Sequence, residues 1–418
     1  MQSIRIGFVF FALCLVALFT SCSSSSNPTA EFRGEGIYVI DMDSAVRNPD
    51  DACFYSILYK GIKTIFLETS ESCLIGFISK MRVFDEHIFI LDSRIAKSLF
   101  VFNREGRFVR KIGAIGGGPG EFTGIADFTI NPDNKTVYTL DDNRQHINIY
   151  DISTGRYLRS INLEYISARS RHFEYLGGKL YSDAYFFKHS PENYLLRVVN
   201  ESSGKEESRH LNVMEYNKGF SNTNFVYNNV FQLQENGNLV FVQRTMDRII
   251  KITKDSIFSL VDIKGKNVLS TEDVKKAIEN DPERWLIDLR KTDKYCEIKN
   301  VIELDNRILF DYIGGRFLLK ILFDKNTRET YIFNCCTNDL LIREKKDEYF
   351  RLPALTVGCR DTGGVYYLFS STPYSSMISE IIAAAKAGVF SPDLDKLEYL
   401  KNLETDANPV IFYHEFKD

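Results

Sequence analysis

One glycine-rich segment of the sequence could hold a phosphate group. Residues 113–122, GAIGGGPGEF, contain five glycines and one proline. A phosphate-binding loop would continue with Lys and Ser or Thr, whereas Glu121 and Phe122 follow here. A dinucleotide fingerprint would need a glycine at position 121 and a following helix. Residues 123–130 instead form an apolar segment typical of a strand. The segment therefore predicts a tight connection between two strands, in which glycines supply positive φ angles and Pro119 adds stiffness.

A second group of residues could bind an anion. The sequence Arg169-Ser170-Arg171-His172 is densely cationic, and arginine binds carboxylate or sulfate groups through paired hydrogen bonds. Polar residues also stand at or just before the starts of other predicted inner strands. The candidate ligand-binding residues are Lys80, Asp127, Arg171, His172, Asn229 and Asn300. The alternative is that these side chains only solvate a channel or pair with neighbours such as Glu174.

Signals for metal binding or catalysis are weak. The six histidines are scattered, and there is no HExxH motif, EF-hand loop or nucleophile elbow. We therefore expect no metal and no cofactor, and we assign no catalytic residue; Asp141 and Asp142 are expected to cap a loop between two strands. Carboxylates that the fold brings together stay open as an alternative. The cysteines outside the export segment contain no CxxC pair and are interpreted as buried thiols, with disulfides as the alternative in an exported chain: Cys53, Cys73, Cys296, Cys335, Cys336 and Cys359.

The N-terminus predicts export. Arg5 precedes an uncharged run at residues 6–20, which is shorter than the ~20 residues needed to span a bilayer. Residues 1–21 therefore form a predicted signal peptide, with a permanent membrane helix as the weaker alternative. Cys22 follows Leu-Phe-Thr-Ser, a pattern that resembles a bacterial lipobox, so we expect this cysteine to be lipidated. Residues 22–34 would then be a flexible tether.

A repeated strand pattern positions the candidate residues. The clearest unit has apolar or alternating segments at 80–84, 87–92, 98–102 and 108–112, separated by turns rich in Gly, Asn and Asp. Five further units follow at irregular intervals, as expected for propeller blades with inserted loops. Six units of four antiparallel strands predict an all-β, six-bladed β-propeller over residues 35–418.

The last unit lacks its fourth strand. Residues 61–67 belong to no unit, so we expect them to supply that strand and close the ring. Helical insertions are predicted at about 264–298 and 371–408, both on the face that carries the longer loops. The opposite face receives only short turns.

With these elements placed, the chain resembles the six-bladed propeller lipoproteins of gut Bacteroidetes, which are distantly similar to NHL-repeat propellers. The residues that carry the resemblance are Cys22 and the segments 65–69, 99–113, 117–122 and 408–411. The resemblance implies the propeller fold and a lipoprotein of the cell envelope. It implies no reaction and no catalytic residues.

These observations favour a non-catalytic binding or scaffolding protein over an enzyme. The chain has 52 basic and 56 acidic residues and no basic tract, so a nucleic-acid partner is not expected. We expect a monomer, anchored in a membrane through Cys22 and facing the periplasm, that recognises a glycan, a peptide or a partner protein on its loop-rich face. The alternative is a lactonase-like or lyase-like propeller enzyme with its active site at the channel mouth.

Overall fold

The computed structural model describes most of the chain beyond the export segment. The described residues are 37–47, 53–164, 168–186, 190–219, 230–234, 236–281, 284–289, 291–314, 317–334, 336–343, 356–361, 363–368 and 375–417. Within these ranges, no helix has both the length and the apolar character needed to cross a membrane. The predicted signal peptide, the lipidation of Cys22 and the tether fall outside the described residues and stay predictions.

The first half of the chain forms an N-terminal segment and three blades. The N-terminal segment contains β1 (Tyr38–Asp41), β2 (Val46–Arg47), β3 (Cys53–Phe54), a 3-10 turn (Tyr55–Ile57) and β4 (Tyr59–Phe66). Blade 1 contains β5 (Lys80–Phe84), β6 (His87–Asp92), β7 (Ser98–Asn103) and β8 (Phe108–Ile112), followed by β9 (Ala114–Ile115) and β10 (Glu121–Phe122). Blade 2 contains β11 (Asp127–Asn131), β12 (Thr136–Asp141), β13 (His146–Asp151) and β14 (Tyr157–Asn162). After β15 (Ala168–Arg169), the chain forms β16 (Phe173–Leu176), β17 (Lys179–Asp183), β18 (Tyr185–Phe186), β19 (Tyr194–Asn200) and β20 (Glu206–Asn212). Blade 3 consists of β16, β17, β19 and β20, whereas β18 pairs with β15.

The second half adds three more blades and most of the helices. After α1 (Val213–Asn217), blade 4 contains β21 (Phe231–Leu233), β22 (Leu239–Phe241), β23 (Arg248–Ile252) and β24 (Ile257–Lys264). After α2 (Thr271–Asn280) and α3 (Trp285–Leu289), blade 5 contains β25 (Tyr295–Glu303), β26 (Arg307–Gly314), β27 (Phe317–Asp324) and β28 (Thr330–Phe333), followed by β29 (Cys336–Thr337). Blade 6 contains β30 (Thr356–Asp361), β31 (Gly364–Leu368), α4 (Ser375–Lys386), α5 (Leu397–Lys401) and β32 (Val410–Phe416). The predicted six-bladed β-propeller is confirmed.

Burial explains why these segments are strands. The middle strands of a blade lie between two neighbours and are apolar on both faces, as in β6, where five of six residues are buried. The outermost strands alternate, so β14 is largely exposed. Side chains of one blade pack against the next: Phe89 and Leu99 of blade 1 share a core with Phe128 and Val137 of blade 2. The hydrophobic core is therefore divided among the interfaces between blades.

The ring closes as the sequence predicts. Strand β4 pairs antiparallel with β32, with Phe66 opposite Val410 and Tyr59 opposite Phe416. The turn of blade 1 at Gly106 then packs on the end of β4, where the Glu68 amide donates to the Gly106 carbonyl at 2.7 Å. Gly106 has a φ of 87°, and a Cβ there would overlap the Phe66 carbonyl oxygen. This turn therefore needs glycine both for its backbone and for its contact with blade 6.

The N-terminal segment extends the sheets of two blades and forms a separate two-stranded sheet, which the sequence analysis did not predict. Strand β1 adds in parallel to β24 of blade 4, β2 adds in parallel to β28 of blade 5, and β3 pairs with β29. Ile40 and Met42 are buried in the core shared by blades 4 and 5. Strands β1, β2 and β3 are each only a few residues long, so no periodicity in the sequence distinguished them from a loop.

Both helical insertions are present. Helix α2 begins with a capping box in which the Ser270 side chain accepts from the Asp273 amide. Helices α4 and α5 pack on blades 5 and 6 through Ile381 and Leu400, and Phe390 of the segment between them is buried in the same core. The helices thus cover one side of the propeller.

The glycine-rich segment is a connector between blades 1 and 2, as predicted. Strands β9 and β10 pair in parallel within it, and the Glu121 carboxylate accepts from the Gly118 amide at 2.7 Å. The Tyr150 hydroxyl of blade 2 donates to the Gly120 carbonyl at 2.8 Å. Most of the segment therefore packs along blade 2, and only the residues that follow it reach the channel mouth.

Candidate functional site

A pocket of ≈ 390 Å³ opens at the channel mouth over blades 1 to 3. Blade 1 contributes Phe77 and Ser79 before β5, Lys80 at its start, and Ser93, Arg94 and Lys97 between β6 and β7. Blade 2 contributes residues 123–127 and the loop residues Asp142 and Asn143, and Arg171 and His172 precede the inner strand of blade 3. Among the residues that the structure describes, none of those lining the pocket belongs to the helical insertions.

A buried aspartate at the end of the second strand holds the pocket loops of blade 1. One oxygen of Asp92 accepts from the amides of Gly76 and Phe77 at 2.8 and 2.9 Å. The other oxygen accepts from the amides of Arg94 and Ile95 at 3.0 and 2.8 Å. A single carboxylate therefore fixes the connection into the blade and the loop between its second and third strands.

Blade 2 repeats this arrangement, and blade 3 repeats the part that holds the connection into the blade. Asp141 accepts from the Thr123 amide at 2.7 Å and from the Asn143 amide at 3.1 Å, so its predicted role as a loop cap is confirmed. Asp183 accepts from the amides of Arg171 and His172 at 2.7 and 2.9 Å. The three walls of the pocket are thus rigid before any ligand arrives, which lowers the entropic cost of binding.

Lys80 and Asp127 of the pocket belong to a network of ion pairs that joins the inner strands of three blades. The Lys80 ammonium lies 2.8 Å from both Asp127 and Glu174. Arg82 also pairs with Glu174, whose second oxygen accepts from the Thr129 hydroxyl at 2.5 Å. Burial acts to raise the pKa of Glu174, but Arg82 and Lys80 outweigh it and hold that pKa below its ordinary value. Burial raises the pKa of Asp127, and Lys80 only partly opposes this.

Two arginines on opposite walls are stacked on aromatic rings. The Arg94 guanidinium lies 4.1 Å from the centre of the Phe77 ring, and the Arg171 guanidinium lies 4.9 Å from that of Tyr185. Stacking uses the flat face of a guanidinium and leaves its N–H edges for hydrogen bonds. The ring contacts therefore hold both guanidiniums in place at the pocket.

His172 adds a further cation. Its Nδ1 lies 2.9 Å from an Asp183 oxygen, which leaves Nε2 as the ring nitrogen for a ligand. Burial acts to lower the pKa of His172, but the Asp183 carboxylate outweighs burial and raises it above its usual value. The imidazolium form is therefore more favoured than in an ordinary histidine, and in that form Nε2 donates rather than accepts.

The walls are not purely cationic, because Asp142 is half-buried beside Arg171. Burial raises the pKa of Asp142, and Asp141 adds to the effect, while Arg171 and Arg169 oppose it. Around the pocket, four permanent cations at Lys80, Arg94, Lys97 and Arg171 face two carboxylates. A net positive pocket in a chain of net charge −4 concentrates anions locally.

The structure brings together four of the six predicted ligand-binding residues. Lys80, Asp127, Arg171 and His172 all line the pocket. Asn300 lies within β25, which begins earlier than the strand predicted there, and it donates to Asp311 at 2.6 Å outside this pocket. Asn229 is outside the described residues. The alternative that candidate side chains pair with neighbours such as Glu174 applies to Lys80, which is partly neutralised by that pair.

Among the residues that organise the pocket, sequence reasoning identified Asp141 as a loop cap and missed Asp92 and Asp183. Asp92, Asp141 and Asp183 each end the second strand of a blade, in the segments ILD, TLD and YSD. The recurrence of an aspartate at the end of the second strand could have identified these residues from the sequence. Arg94 and Lys97 had no such signal, because the loop that carries them has no pattern of its own.

Two further observations concern chemistry at the site. Among the residues that the structure describes, no three His, Cys, Asp or Glu side chains are grouped so as to hold a metal ion. Cys73 and Cys359 are buried thiols outside any disulfide, as predicted for them. The side chains of the other four cysteines are not described.

Comparison with known proteins identifies a family. The family model described as Domain of unknown function (DUF4934) matches residues 37–415. A comparison with curated proteins gave no significant match.

Comparison with solved structures supports the fold. A protein of Bacteroides fragilis that is described as exported is 19% identical, with a TM-score of 0.70 over 91% of this chain and 100% of that one. A member of the DUF4221 family from Bacteroides vulgatus is 12% identical, with a TM-score of 0.46 over 86% of this chain and 97% of that one. At 19% identity, the likeness to the Bacteroides fragilis protein concerns the fold alone.

Proposed function

The chain belongs to the DUF4934 family, and we propose that it is an envelope protein whose mouth pocket binds a ligand through an anionic group. The observation that carries this proposal is the cationic lining supplied by Arg94, Lys97, Arg171 and His172. Stacked guanidiniums and an imidazolium bind carboxylate, sulfate or phosphate through charge-assisted hydrogen bonds. A pre-formed pocket of this size suits a small molecule or one unit of a larger ligand.

Binding without catalysis accounts for the state of His172. A general base at neutral pH needs an imidazole that can accept a proton. The raised pKa of His172 instead favours the cation, which suits a donor to a bound anion.

We further propose that the protein is tethered in the cell envelope through lipidated Cys22, with the propeller in the periplasm. The leader pattern and the small polar residues after Cys22 support this proposal. Metabolic labelling with an alkyne fatty acid should mark the wild-type chain and not Cys22→Ser. Labelling of both chains would contradict the anchor and leave the pocket proposal standing.

The pocket proposal is tested by titrating the purified propeller with anions. Isothermal titration calorimetry should detect binding of small carboxylates and sulfates, and Arg94→Met and Lys97→Met should each weaken it about tenfold. Lys135→Met is the matched control, because it removes one lysine charge far from the pocket, in an exposed pair with Asp85. Equal weakening by Lys135→Met, or no binding by the wild type, would contradict the proposal.

A further inference from the structure

Three charged side chains of the mouth pocket have no ion-pair partner among the residues that the structure describes. They are Lys97 in blade 1, Asp142 in blade 2 and Arg171 before the inner strand of blade 3. Because these blades follow one another around the ring, the signs alternate along the mouth: positive, negative, positive. A ligand that satisfies all three groups must present the opposite charges in the same order.

The Asp142 carboxylate indicates that the ligand carries a cation. This carboxylate is half-buried, and no other described residue donates a hydrogen bond to it. Burial raises its pKa, and Arg171 and Arg169 oppose this effect without outweighing it. Arg171 is thus near enough to act on Asp142, yet its guanidinium stacks on the Tyr185 ring and forms no ion pair with that carboxylate. A ligand ammonium would donate to the carboxylate and offset the cost of burying it.

A ligand with only one sign of charge does not fit this arrangement. A lone cation at Asp142 would be repelled by Lys97 and Arg171, and a plain anion would be repelled by Asp142. An ammonium flanked by two anionic groups avoids both conflicts. An α-amino acid has its ammonium and carboxylate on one carbon, which suits the neighbouring Asp142 and Arg171. A second carboxylate at the end of its side chain would then face Lys97.

We infer that the pocket binds an acidic α-amino acid, such as aspartate or glutamate. The α-carboxylate contacts Arg171, the ammonium contacts Asp142, and the side-chain carboxylate contacts Lys97. The volume of ≈ 390 Å³ lies near the lower end of small-molecule sites, which suits a ligand of this size. This inference rests on the proposed function, since it names the chemical class of the anionic ligand.

The test compares ligands that lack one charge at a time. Both enantiomers of glutamate and aspartate carry all three charges, glutarate and succinate lack the ammonium, and glutamine and asparagine lack the side-chain charge. By calorimetry at pH 7, at least one acidic amino acid should bind about tenfold or more tightly than its ammonium-free counterpart, because a hydrogen bond between charged groups adds to the anion contacts. A pocket that only attracts negative charge would give the opposite order, since the ammonium-free ligands have the larger net negative charge. The corresponding amide should also bind about tenfold more weakly than the acid.

Variants assign the charges to their partners. Asp142→Asn should weaken binding of the preferred amino acid about tenfold, whereas its ammonium-free counterpart should bind equally or more tightly, since a repelling charge is gone. Lys97→Met should weaken both of these ligands and leave the corresponding amide unchanged. Asp85→Asn is the matched control, because Asp85 lies in an exposed pair with Lys135 away from the pocket, and all affinities should stay the same. The thermal midpoint of each variant shows that it is folded.

Each outcome bears on a different statement. If no acidic amino acid binds more tightly than its ammonium-free counterpart, the amino-acid inference is wrong and anion binding stands. If Asp142→Asn leaves the preference for the ammonium unchanged, Asp142 does not hold that group and the inference is again wrong. If the amides bind as tightly as the acids, the side-chain contact with Lys97 is absent and the acidic class is wrong. If no anion binds the wild type, the proposed function fails as well.

Discussion

Replacing Glu174 by Gln should destabilise the propeller strongly, because this carboxylate joins three blades. Its side chain is 3% exposed, and it pairs with Lys80 and Arg82 of blade 1 and accepts from Thr129 of blade 2. Removing one partner of a buried ion pair costs roughly 3–5 kcal/mol. Lys80 keeps Asp127 as a partner, so we expect a loss near the lower end, about 3 kcal/mol, mainly from Arg82.

Urea unfolding followed by intrinsic fluorescence measures this loss. The control is Asp85→Asn, which breaks an exposed pair with Lys135 and should change the free energy of unfolding very little. Adding Arg82→Met to Glu174→Gln should recover part of the stability, because it removes the orphaned buried charge. A loss below about 1 kcal/mol for Glu174→Gln, or no recovery in the double variant, would refute the reasoning.

Three further predictions follow from the structure. Burial lowers the pKa of His414 to about 4, below its ordinary 6.5. The free energy of unfolding should therefore fall by about 3 kcal/mol as the pH is lowered from 6.5 to 4. In urea unfolding, His414→Gln should flatten the dependence of stability on pH over that range. Gly106→Ala should lower the thermal unfolding midpoint more than Gly178→Ala. Both glycines have positive φ, but only a Cβ at position 106 would clash with β4. Equal losses in the two variants would contradict the importance of that contact. Asp183→Asn removes the carboxylate that raises the pKa of His172. Anion binding measured by calorimetry should therefore weaken at pH 7, and its pH dependence should shift to lower pH. An unchanged pH dependence would argue against a role for the His172 imidazolium in anion binding.

Much of the fold could be predicted because it depends on local patterns. Segments such as residues 87–92 are recognisable as strands from their own side chains, and Ser270 and Asp273 mark a helix start within four residues. The closing strand was found by elimination, since one blade lacked a strand and residues 61–67 had no blade. The fifth strands at Tyr38–Asp41 and Val46–Arg47 were missed because their partners lie more than 200 residues away.

The residues of the candidate site were likewise predictable from the sequence only in part. From the sequence alone, the inner-strand starts could be located, and with them Lys80, Asp127, Arg171 and His172. Only the tertiary structure decided that Arg82 meets Glu174 across the channel, 92 residues away, and that Arg94 faces the same pocket as Arg171. Strand formation depends on the alternation of neighbouring side chains, which the sequence contains. Ion pairs and pocket walls depend on how blades are arranged around the ring, and that arrangement exists only once the chain has closed on itself.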